Sequence, residues 1–236
     1  MPVARWMHIE FPVRDYWVLP IWTAHNGARD RGRCADLPDE TIELGLSVST
    51  RLSMLPSLYR RVDKGTADVR AAVSKREAHH EWSATQDGFS FRIAETLLYE
   101  FLLDLDSLVF EVNSTCELMT DLFTQLYAHV GKPLPRTPAG LVIRDVLKAA
   151  NQDPGWFLEL DCHRNFFSHE GAPFFAVDLT NEKSGSLDLL IMKRNLRRFD
   201  DPTHFVRLSE LALIVRGFEQ SKAVIQEHLI DLFTTA

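Results

Sequence analysis

The residues with the most chemical potential are crowded into "DCHRNFFSHEG", residues 161 to 171. Within it "RNFFSH" places Arg164, Asn165 directly after it, and His169 five positions beyond the arginine. A histidine titrates near neutrality and can take or give a proton. A guanidinium is a fixed planar cation that can hold two oxygens of an oxyanion at once. The bare spacing carries nothing, because a uniform chain of this composition gives about 0.7 such Arg–His pairs by chance. Requiring Asn after the Arg lowers that expectation to about 0.02, which makes the triplet informative.

Geometry sets a condition on that chemistry. Positions i and i+5 of a regular α-helix lie about 140° apart, so Arg164 and His169 face one site only where the helix gives way. Gly171 and Pro173 predict a helix end near Ser168 or His169, and an unwinding terminus would let the two side chains converge. A second role for the same residues stays open. Arg164 can cap the last carbonyls of its helix, with His169 a polar residue at its C-terminus.

The elements that must carry this segment are mostly helical. From Asp39 an apolar pattern (Ile42, Leu46, Leu52, Leu55) predicts a helix that Pro56 kinks or ends, and a second is expected from a Thr66 N-cap to about Trp82. "SATQDG" reads as a linker. It divides an N-terminal extension, residues 1–88, with an irregular arm and two helices, from a bundle domain over residues 89–236. Between Phe89 and Val130, Leu98, Leu102, Leu105, Val109, Val112, Cys116, Met119, Phe123, Leu126 and Val130 follow an unbroken 4-3-4-3 spacing. That repeat predicts one long helix with a continuous apolar seam, widened by Phe101, Leu108 and Leu122 as in a bundle core. A helix over about 139–151 and the motif helix, with Pro154 in its first turn, follow. "FFAVDL" and "LDLLIM" read as a β-hairpin, and Phe205 to about Phe233 as the last helix. The expected fold is mainly α: an antiparallel helical bundle with a small β-hairpin inserted before the last helix.

Residues 1–37 are the least regular stretch, with Pro12 and Pro20 expected to break any helix and "HNGARDRGRCAD" to form a loop. Their aromatics (Trp6, Phe11, Tyr16, Trp17, Trp22) are expected to dock this arm onto the helical body. The net charge of −7 argues against a protein that coats nucleic acid non-specifically, although it leaves room for a local basic surface. Three dispersed cysteines outside any CxxC point to reduced thiols. Arg5, Glu10, Arg14 and Asp15 interrupt any apolar leader, and no membrane-length apolar run occurs, so a cytoplasmic protein away from membranes is expected.

With Arg164, Asn165 and His169 in a helical context, the chain resembles the HEPN superfamily over roughly residues 89 to 236. Ribonuclease members of that superfamily carry an Arg, four to six intervening residues and a His, commonly with a polar residue after the Arg. The resemblance implies metal-independent RNA cleavage by a homodimer with the two motifs facing each other. His169 would be acid or base toward the 2′-hydroxyl and the leaving 5′-oxygen, Arg164 would hold the phosphate, and Asn165 would orient the His or touch the phosphate. It also implies a toxin or defence role with an antitoxin or regulatory partner. HEPN folds without nuclease activity exist, so a non-catalytic module binding a protein or nucleotide is the alternative.

Other groups compete. Arg197 or Arg198 with His204 also meets the loose spacing, although Pro202 places that stretch in a loop. The basic loop Lys193, Arg194, Arg197, Arg198 reads either as an RNA-backbone contact or as a solvated charge run. Cys162, His163 and His169, or His79-His80-Glu81, match no metal-ligand spacing, so no metal and no cofactor is assigned. His163 is expected on the helix surface, and Glu95, Glu100 and Asp104 on the solvent face of the long helix.

Overall fold

The computed structural model describes residues 15–75, 83–85, 88–90, 93–135, 138–169, 174–178, 187–192, 194, 196 and 199–234. Among the described residues, six α-helices and a three-stranded antiparallel sheet before the last helix make the fold mainly α, as the periodicity predicts. No helix among the described residues is long and apolar enough to cross a membrane.

The axis is α3, Glu95–His129, which at 1.5 Å per residue runs about 52 Å. Its seam is buried from Leu105 through Leu126, with Phe101 and Leu108 widening it. The 36-residue α2, Asp39–Ser74, lies along it. Two helices were expected here, and there is one. Pro56 occupies the exposed side, while Val48, Leu52, Leu55, Leu58, Val62, Val69 and Val73 bury one unbroken stripe that holds both halves together. Thr66 does not cap a helix, because its hydroxyl donates back to the Val62 carbonyl at 2.7 Å. Arg61 of α2 pairs with Asp104, so that carboxylate is buried against α2 rather than facing solvent; Glu95 and Glu100 are exposed as expected.

The N-terminal stretch is also more ordered than its prolines suggest. Leu19–Asp30 forms α1, with Pro20 in the first turn, where a missing N–H breaks no intrahelical bond. Thus "HNGARD" is helical, and only residues 31–38 form the loop. Trp17 is buried and donates from Nε1 to the Lys222 carbonyl at 2.9 Å, and Trp22 packs so closely on Gly45 that a Cβ there would sit 2.3 Å from its ring. Tyr16 is exposed, whereas Trp6 and Phe11 lie outside the described residues.

"SATQDG" is not simply a linker: β1, Ser83–Thr85, and β2, Gly88–Ser90, pair antiparallel. Beyond α3 come a single 3₁₀ turn, Ala139–Leu141, α4 (Val142–Ala149) and α5 (Gly155–His169). The expected hairpin forms as β3, Phe174–Asp178, and β4, Asp188–Met192, in register Phe174↔Met192. A third strand, β5 (Phe205–Arg207), pairs with β4 where the last helix was expected to begin. The aromatic and β-branched pair Phe205-Val206 is buried opposite Met192 and Ile191. The helix α6, Leu208–Thr234, then starts as Glu210 accepts from the Arg207 N–H at 2.9 Å. Arg207 also bridges Asp178 (3.1 Å) and Asp188 (3.5 Å), tying all three strands at one end.

One continuous core extends from Trp17 through α2 and α3 to Phe233, so α1 and α2 share it with the bundle helices. α5 packs tightly on α6 at Gly217, where a Cβ would lie 2.4 Å from Trp156 Cγ. Trp156 Nε1 donates to the buried Ser221 hydroxyl at 3.0 Å, fixing the ring against that glycine. Gly217→Ala should therefore force α5 off α6 and cost about 1–3 kcal/mol. In a chain of this size that is roughly 2–4 °C of melting temperature per kcal/mol by thermal denaturation, and an unchanged Tm would contradict the crossing.

Candidate functional site

The motif helix α5 buries Trp156, Leu160, His163 and Phe166 on one face, spaced three and four residues apart. Phe166 packs edge-on against the half-buried Phe167, 5.3 Å between centroids. Arg164 stands at the edge of this face beside α3. Its side chain is 43% exposed, and Nη2 is 3.9 Å from Glu117 Oε1, an ion pair too long for a hydrogen bond. Asn165 is exposed. The His169 side chain lies outside the described residues, as do Lys193, Arg197, Arg198 and the His79-His80-Glu81 group.

The backbone of α5 remains helical through His169, where the helix ends. The helix does not unwind within the motif, so the expected condition for Arg164 and His169 to converge is not met: positions 164 and 169 lie about 140° apart around the axis. By position Asp161, Asn165 and His169 follow one ridge at i, i+4 and i+8, with Arg164 on its flank.

Arg164 opens onto a cleft of about 480 Å³ between α3, α5 and the 3₁₀ turn. Its wall on α3 carries Asn113, Glu117 and Asp121, and its wall on α5 carries Phe157, Asp161 and Arg164. Asn113 Nδ2 donates to Glu117 Oε1 at 2.8 Å. Three carboxylates, Glu117, Asp121 and Asp161, thus line the cleft with one guanidinium. Cys116 lies at the floor, but burial pushes its thiol far up, so it stays protonated and offers no thiolate nucleophile. Sequence reasoning missed the α3 wall. Its signal was the i, i+4, i+8 spacing of Asn113, Glu117 and Asp121 on the side opposite the apolar seam.

One neighbour of the motif differs from expectation. His163 is buried rather than on the surface, with Glu159 one turn back and Glu210 of α6 close by. Cys162 is exposed. In the basic loop Arg194 is exposed, and His204 sits in the 3₁₀ turn Pro202–His204, 3.8 Å from Asp201. That carboxylate is held below its ordinary value by hydrogen bonds from Thr203.

Burial holds the His163 imidazole below its ordinary value, against the upward pull of Glu210 and Glu159. His228 on α6 is lowered by burial as well. The unfolded chain then takes up protons that the folded chain refuses. The stability these two imidazoles contribute is therefore full above about pH 6.5 and falls as the pH drops below it. His163→Leu should flatten part of the decline in urea midpoint between about pH 6.5 and pH 5; an unchanged slope would show that His163 is not the group.

No protein-family model matches the chain, and no curated protein or solved structure matches it.

Proposed function

We propose that the protein is a HEPN-type endoribonuclease that cleaves RNA without a metal ion, as a homodimer. The observation that carries this reading is the triplet Arg164, Asn165, His169 on the last turns of α5, with the guanidinium at the mouth of a cleft. Arg164 binds the scissile phosphate and offsets its developing charge. His169 moves the proton between the 2′-hydroxyl and the leaving 5′-oxygen. Asn165, exposed between them, orients the imidazole or the phosphate.

Positions 164 and 169 lie about 140° apart around a regular helix, so the reading needs a second copy of the chain to complete the site. The solvent side of α3 also carries Tyr99, Leu103 and Phe110, each more than half exposed, on the stripe that continues to Asn113 and Glu117 in the cleft. An apolar run leading to the motif suits a two-fold contact along α3. The loose Arg164–Glu117 pair is exchanged for a phosphate when RNA binds. Lys193, Arg194, Arg197 and Arg198 supply further charge for the backbone. A toxin or defence role, with an antitoxin or regulatory partner, belongs to the same proposal.

One observation favours a second reading. Glu117, Asp121 and Asp161 outnumber Arg164 in the cleft, a balance better suited to a basic protein partner than to a phosphate. The protein would then be a non-catalytic helical module.

The experiment is RNA cleavage in EDTA by the wild type, Arg164→Ala and His169→Ala. Each variant should lose at least about 10²-fold in rate with its circular dichroism unchanged. Full activity in both variants would falsify the catalytic reading. Intact RNA with the wild type would move the account to partner binding.

A further inference from the structure

Three ligand-bearing side chains meet where α1 and the loop after it cross the end of α3. His25 belongs to α1, Cys34 to that loop and His129 to the last turn of α3. One ligand atom from each lies within 4.8 Å of the other two. Three atoms that close fit around a centre no more than about 2.8 Å from any of them, against Zn–N and Zn–S bonds of roughly 2.0–2.3 Å. Side-chain movements of roughly half an ångström therefore reach bonding distance.

The surroundings give the cluster the character of a site. The His25 side chain is buried, with Nε2 3.0 Å from the Ala35 carbonyl and Nδ1 3.3 Å from the Asn26 side-chain oxygen. A neutral imidazole has one N–H. Both nitrogens face an oxygen, so whichever binds a metal gives up that contact while the other donates its N–H, the arrangement that orients metal-binding histidines. His129 Nε2 is buried and makes no well-aligned hydrogen bond among the described residues, although the Ala35 backbone lies close enough to interact with the ring. A buried ring nitrogen left this way is uncommon. One turn earlier on the same side of α3, the buried oxygen of Gln125 lacks a partner among the described residues as well. The two imidazoles are tilted by 52° with centroids 5.3 Å apart, and Phe233 closes the far edge of His25.

We propose that His25, Cys34 and His129 bind one zinc-class divalent ion, leaving a fourth position to water. Two imidazoles and a thiolate are borderline to soft donors, which select Zn²⁺ over Mg²⁺ or Ca²⁺. Three protein ligands with an open position make a recognised zinc arrangement. The ion ties α1 and its loop to the C-terminal end of α3, elements far apart in the chain. It lies roughly 18 Å beyond Glu117 along that helix, so it acts as a clip and takes no part in the Arg164 cleft.

The test is Co²⁺ titration of the metal-stripped full-length chain, followed by displacement with Zn²⁺. One equivalent should give a near-ultraviolet thiolate-to-cobalt band with visible bands of tetrahedral Co²⁺, and Zn²⁺ should abolish both. Cys34→Ser should remove the thiolate band. It should also weaken Zn²⁺ by more than the roughly 10–100-fold lost when a group that merely orients a ligand is removed. Cys162→Ser, at the exposed cysteine of α5, should change neither. A wild-type chain that shows no thiolate band overturns the proposal whether or not the variants fold. So does a band that survives Cys34→Ser or vanishes in Cys162→Ser.

Discussion

Everything in this fold depends on the burial of one long apolar seam. Along α3 the residues from Leu105 to Leu126 lose their water to α2 on one side and to α5 and α6 on the others. Each large side chain so buried contributes about 1.5–3 kcal/mol, and no other element offers so many in register. A helix buried on most of its circumference leaves one narrow stripe to solvent. Here that stripe runs from Tyr99, Leu103 and Phe110 to Asn113, Glu117 and Asp121. The seam therefore decides where a site can exist, because the cleft beside Arg164 is the continuation of that stripe against α5.

The charge balance in the cleft is the main tension. Arg164 is the cation that phosphate chemistry needs, yet its nearest described charge is Glu117, with Asp121 and Asp161 close behind. At 3.9 Å and with both partners well exposed, the Arg164–Glu117 pair is weak enough to yield to a doubly hydrogen-bonded phosphate. The regular course of α5 through His169 adds a second constraint, since a straight helix cannot turn both motif residues to one side. The proposed ribonuclease reading therefore requires a second copy of the chain, for which the exposed Tyr99, Leu103 and Phe110 on α3 offer a surface.

Burial periodicity was legible in the sequence; local breaks were not. The seam of α3, the β3–β4 hairpin and the end of α5 before Gly171 follow directly from spacing and turn residues. Pro56 and Pro20 mislead because proline weakens a helix only where its N–H or ring matters. Pro56 is overridden by a buried stripe running through it, and Pro20 falls in a first turn. Thr66, Asp104 and His163 were misplaced for one shared reason. Each is polar by type, but its partner (the Val62 carbonyl, Arg61, the α5–α6 contact) exists only after folding. The α3 wall of the cleft needed the pairing of α3 with α5. The meeting of His25 and Cys34 with His129 needed α1 to cross the end of α3, and neither follows from spacing within one segment.

The central claim is the proposal that His169 moves the proton of the ribose 2′-hydroxyl while Arg164 holds the scissile phosphate. The most direct measurement is to map the ends of RNA fragments produced by the purified chain in EDTA, beside a substrate with one 2′-deoxy residue at the cleavage position. The account predicts 2′,3′-cyclic phosphate and 5′-hydroxyl ends, and no cleavage at the deoxy position. Fragments with 5′-phosphate ends, or cleavage that ignores the missing hydroxyl, would contradict it.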